Sequence, residues 1–184
     1  MKYFSKTVIV LFLVALLVRL LVALWSFNFR ENTDVMRYRD WARITHLYGL
    51  SDSYKPNHIM FGTLPNNMPP GTLYIASVMY EVNVLSAKTI FKVTKQPPEN
   101  FQWINGELLN FYLRLPSIIA DLIIGFIIFV LVKTKSSGKL AALASSIYLF
   151  NPVIIYNSSL LGQMDSLNNL FLVLAVFALY KQKV

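Results

Sequence analysis

"TVIVLFLVALLVRLLVALWSF", residues 7–27, decides the fold class. It is apolar almost throughout, with Arg19 as its single charge. A run of about twenty such residues is long enough to cross a bilayer as a helix. Lys2 and Lys6 ahead of it would also suit a secretory leader. No small-residue cleavage site follows, however, and Trp25 and Phe27 suit the aromatic belt at a membrane surface. The stretch reads as an uncleaved membrane helix.

Working outward, the chain of 184 residues is 55% hydrophobic, with a mean hydropathy of +0.51. Soluble domains of this length are rarely so apolar. Three more apolar runs follow, Leu115–Val132, Leu140–Tyr156 and Leu167–Tyr180. With their flanks they predict spans over 114–132, 139–157 and 165–180. The expectation is an all-α integral membrane protein, one membrane domain over 1–184, with about four transmembrane helices.

Four spans place three lysine clusters on one side: Lys2 and Lys6; Lys133, Lys135 and Lys139; Lys181 and Lys183. The positive-inside rule assigns that side, and both termini, to the cytoplasm of a bacterial or archaeal plasma membrane. Residues 28–113 then form a long extracytoplasmic first loop, because long loops translocate largely regardless of charge. The net charge of +8 follows from this layout, so no nucleic-acid partner is expected. The absence of cysteine excludes disulfides and thiolate metal sites.

The long loop has structure of its own. "NTDVMRYRDWARITHLYGL" (32–50) predicts a helix opening at Asn32 or Thr33 and closing near Gly49. Asp34, Tyr38, Trp41 and Thr45 recur at helical spacing on one face. Arg39, Arg43 and His46 form a separate basic stripe. "LPNNMPPGTLY" (64–74) is turn-rich, its prolines opposing regular structure. "TLYIASVMYEVNVLSAKTIF" (72–91) predicts an amphipathic helix at the interface, since Glu81 and Asn83 argue against a fifth crossing. Tyr74 and Tyr80 suit interfacial anchors there, and "KQPPEN" (95–100) turns the chain back. His46 and His58 are too far apart in sequence to argue a metal pair. "NSS" at 157–159 lies too near the membrane edge to be read as a glycosylation acceptor.

A lone charge in the bilayer centre costs about 2.5–3.5 kcal/mol on insertion scales, so Arg19 and Asp121 call for partners. At a rise of 1.5 Å per residue, Arg19 lies about 12 Å and Asp121 about 10 Å below the outer edge of a core of about 30 Å. Their similar depth predicts a structural pair between the first two membrane helices.

Five stretches together carry a resemblance: "TDVMRYRDWA" (33–42), "YGLSDSY" (48–54), "NNMPPGTLYI" (66–75), "LRLPSIIADLIIGFII" (113–128) and "NPVIIYNSSLLGQMDSL" (151–167). In that order they resemble the GT-C class of membrane glycosyltransferases, in particular the bacterial and archaeal relatives of the GPI-anchor mannosyltransferases. The resemblance implies a partial GT-C fold and transfer of a sugar from a polyprenyl-phosphate donor, with mannose as default, to an acceptor hydroxyl of unknown identity on the extracytoplasmic side. Membrane lipids are the other expected partners.

The resemblance makes Asp34 the general base and Asp165 a second site acid, binding sugar hydroxyls, the acceptor or a divalent cation, the one cofactor in prospect. Gln163 would support Asp165. Tyr38 and Trp41, on the face of Asp34, are expected to bind substrate, and Arg37, Arg39, Arg43 and Arg114 are candidate phosphate contacts. The plainer alternatives are an acid favoured by a helix dipole at Asp34, a helix cap at Asp165 or Ser166, and arginines drawn to anionic headgroups.

Two features depart from the family pattern. Met68 stands where a tyrosine is usual before the two prolines, and the family usually has eight or more membrane helices, so the chain looks like an N-terminal portion. A rival expectation is a non-catalytic lipid-binding or assembly subunit on the same scaffold. A transporter fragment, suggested by Arg19 and Asp121, is disfavoured because Leu122–Val132 is apolar throughout.

Overall fold

A computed structural model describes residues 6–26, 33–56, 58–59, 64–94, 106 and 108–182. Among the described residues every regular element is a helix: α1 Lys6–Trp25, α2 Thr33–Tyr48, α3 Leu50–Ser53, α4 Pro70–Thr94, α5 Leu109–Lys135, α6 Gly138–Leu149, α7 Pro152–Ile155, a π-helix Tyr156–Leu161, and α8 Asp165–Gln182. Phe27, Asn32 and the turn expected at 95–100 lie outside the described residues. The chain forms two compact units, residues 1–26 with 117–184, and residues 27–116. The division falls at Pro116, inside α5, where the proline ring has no N–H to continue the helical ladder.

In the first unit, α1 and α5 are long and apolar enough to cross a membrane. The segment α6 qualifies only together with Pro152–Leu161, from which it is bent by 47°. Thus the run expected as one span over 139–157 is two segments. The reason is local. Pro152 cannot donate a backbone hydrogen bond, and the Asn151 side chain accepts from the Val153 N–H at 2.9 Å, starting a new helix. That helix widens into a π-turn and stops at Gly162, whose φ of +70° suits a residue without a Cβ. Helix α8 is not in the membrane-crossing class, because Asp165, Asn168 and Asn169 open it and Lys181 and Gln182 close it. Nor is α4, which carries Glu81 and Asn83.

The interior of this unit is built from small and apolar residues. Val8, Phe129 and Ala141 are buried together, with Phe12, Val130, Val132 and Ala142 around them. Phe12 meets Phe126 edge-on at 6.3 Å. α5 and α6 come close at Gly125, whose carbonyl accepts from Ser145 Oγ at 2.8 Å. Small residues allow such approach between membrane helices, where no hydrophobic drive separates protein from lipid.

In the second unit α2 packs on α4. Helix α2 ends where Gly49 takes φ +93°, its N–H reaching the Thr45 carbonyl at 3.2 Å. Residues 64–69 form a strap tied down by polar contacts. Asn66 closes a tight turn on Met68, its Oδ1 accepting from the Met68 N–H at 2.8 Å. Tyr54 Oη donates to the Met68 carbonyl at 2.8 Å, and the Asn66 N–H reaches Ser53 O at 2.8 Å. The last proline of this stretch does not oppose regular structure: Pro70 opens α4, at the position where a missing N–H costs nothing.

Candidate functional site

Asp34 stands in the first turn of α2 with its side chain 32% exposed. Arg37, one turn on and 44% exposed, lies 3.5 Å away through Nη1. These two are the accessible charged pair of the helix's opening. Tyr38 and Trp41 follow, each only 4% exposed. Their rings meet edge to face at 5.6 Å, and the Trp41 indole N–H donates to the Leu64 carbonyl at 2.8 Å. They hold the helix and strap together beneath the pair and do not line an open surface.

The expected basic stripe is committed within its own unit. Asp40, fully buried, lies 3.0 Å from Arg43 Nη2, which also donates to the His58 carbonyl. Arg39 is lowered in pKa by burial, while the charge of Asp40 acts the other way. The His46 ring sits 5.2 Å from Tyr80, and His58 stacks on Tyr48 at 3.8 Å. Arg114 is buried in α5 and donates through Nη1 to the Asn110 carbonyl at 2.7 Å.

In the other unit, the hairpin between the π-helix and α8 is set by its main chain. The Gln163 N–H reaches Asn157 O at 2.9 Å, and the Gln163 carbonyl accepts from Ser117 Oγ at 2.8 Å. The Met164 carbonyl takes the N–H groups of Leu167 and Asn168, so α8 begins at Asp165, which is exposed, while Ser166 is buried. Neither Asp165 nor Ser166 stands ahead of the helix as a cap. Asp165 presents its carboxylate at the positive end of the helix dipole. Asp34 and Asp165 thus belong to different units.

Arg19 and Asp121 are fully buried and meet at 3.4 Å, Nε to Oδ2. Tyr148 Oη donates to the second carboxylate oxygen at 3.1 Å, and Arg19 Nη1 to the Ala15 carbonyl at 3.3 Å. Three helices, α1, α5 and α6, are thereby joined by one carboxylate.

A divalent cation is a poor fit for these residues. Among the described residues no group of three or more His, Asp or Glu converges, and Asp34 already faces a guanidinium.

Sequence reasoning missed Asp40 and Tyr148. The first was signalled by Arg43 three residues on in "RDWAR", the spacing of neighbours on a helix. The second was a lone tyrosine inside an apolar run. No family model, no curated protein and no solved structure matches the chain.

Proposed function

We propose that the protein is a membrane glycosyltransferase of the GT-C type. It spans the bilayer four times with 28–113 and the 162–166 hairpin outside, and moves a sugar, mannose by default, from a polyprenyl-phosphate donor to an acceptor hydroxyl. The observation that carries the reading is Asp34: a carboxylate about one-third exposed at the start of α2, the next described helix after the first membrane helix, with Arg37 beside it.

In this reaction Asp34 takes the proton of the acceptor hydroxyl as its oxygen bonds to the anomeric carbon. The bond from that carbon to the phosphate oxygen breaks, and the electron pair leaves with polyprenyl phosphate. A positioned base of this kind contributes about 10²–10⁴-fold. Arg37 supplies a cation for the departing phosphate. Buried Tyr38 and Trp41 keep α2 from shifting, and Asp165 with Gln163 binds sugar or acceptor hydroxyls.

The test is turnover of radiolabelled polyprenyl-phosphate sugars by membranes bearing the full chain. Asp34→Asn should reduce transfer by about 10²-fold or more while donor binding persists. Activity within about tenfold of wild type removes Asp34 from the base role. A second reading, a non-catalytic lipid-binding subunit, draws on the burial of Tyr38 and Trp41, which leaves a sparse open site. It is supported if wild type and Asp34→Asn bind the prenyl lipid equally and neither turns any donor over.

A further inference from the structure

The first unit contains an apolar groove of about 880 Å³ between α5 and α8, with Tyr148 of α6 at its base. Its α5 wall runs from Ile124 to Lys135. At 1.5 Å per residue that is about 16 Å, roughly half of a hydrocarbon core of about 30 Å. The groove therefore has the depth of one leaflet.

Its two ends differ in chemistry. Below, the walls are apolar side chains such as Ile128 and Val176. At the rim stands Lys135, and the Lys181 ammonium lies 5.2 Å over the ring of Phe177, itself a wall residue. In sequence the rim has no acidic neighbour: residues 122–164 and 166–184 contain no Asp or Glu. Asp121 is engaged with Arg19, and Asp165 opens the far end of α8, about 24 Å from Lys181 at the same helical rise. Two cations above an apolar slot one leaflet deep match a molecule with an anionic head and a long hydrocarbon chain.

We propose that this groove holds one acyl chain of an anionic phospholipid whose phosphate pairs with Lys135 and Lys181. Basic rims between membrane helices on the cytoplasmic side recognise such headgroups. The lipid would come from the leaflet that faces the lysines, on the opposite side from Asp34 in the proposed topology, so it is not the sugar donor. The inference is independent of the transfer chemistry but takes the sidedness of the lysines from the proposed four-span topology.

Native mass spectrometry of the full chain, extracted with phosphatidylglycerol or phosphatidylcholine of identical chains, tests it. One phosphatidylglycerol should be retained about tenfold more tightly than phosphatidylcholine, and Lys135→Gln with Lys181→Gln should erase that preference. Val176→Trp, at a wall position already 58% exposed, fills the slot without displacing core and should weaken retention about tenfold. Lys139→Gln, away from the lining, should leave binding unchanged. Equal retention of both lipids overturns the proposal. So does a Val176→Trp chain that keeps its lipid, or a Lys139→Gln effect as large as that at Lys135. A photocrosslinking residue in place of Val176 that captures a polypeptide and no lipid would show a protein helix as the occupant, and would overturn it as well.

Discussion

Asp121 receives Arg19 and Tyr148 at one carboxylate, in a place where neither charge reaches water. Removing one partner strands the other, so Asp121→Leu should destabilise the fold by about 3 kcal/mol in a reversible unfolding assay in detergent or bicelles. Arg19→Leu on top of it should recover most of that loss, because a buried ion pair can be replaced by packed apolar groups at little net cost. A double variant as unstable as Asp121→Leu alone would mean that the cluster does more than satisfy its own charges. Tyr148→Phe removes one hydrogen bond and should cost only about 0.5–1.5 kcal/mol. The Arg19 and Asp121 contact was legible in the sequence through their similar depth on two apolar runs. Tyr148 was not, because its contribution depends on α6 lying beside α5, and a single tyrosine in an apolar run does not announce its neighbour. In the other unit, Asp40→Ala leaves Arg43 largely buried without its carboxylate. It should cost about 3 kcal/mol in the same assay.

Among the elements, the approach of α5 to α6 at Gly125 is sensitive to a single methyl group. A Cβ at Gly125 would fall 2.6 Å from Leu149 Cδ2 and 2.7 Å from Cγ. Leu149 is fully buried. Gly125→Ala should therefore destabilise by about 1–3 kcal/mol, and Leu149→Ala in the same chain should relieve part of that. If Gly125→Ala proves neutral by thermal unfolding, α5 and α6 are not in contact there. The end of α2 was readable from Gly49, since a left-handed stop is local chemistry, and the helix begins at Thr33. The bend after α6 was not. "NP" at 151–152 is a break signal, but hydrophobicity counted along 139–157 is blind to direction. Pro70 shows the same limit, since a proline reads as a breaker until its place at a helix start is known.

For the whole molecule, the lysine clusters and apolar runs led to four spans, and two helices are plainly long and apolar enough to cross, three if the bent pair is one span. What hydropathy does not decide is whether α8, polar at both ends, completes a fourth. Whether Asp34 and Asp165 share a side depends on whether the bent pair of α6 and Pro152–Leu161 crosses, and with it the proposed chemistry. The chain contains no cysteine, so single introduced thiols report without background. The decisive measurement is labelling of Asp52→Cys, Ser136→Cys and Asp165→Cys chains in intact cells with a membrane-impermeant maleimide. The four-span account predicts that positions 52 and 165 are labelled from outside and that 136 is labelled only after the membrane is opened. Labelling of 136 and 165 from the same side would contradict it, and would separate the two acids on which the proposed transfer relies.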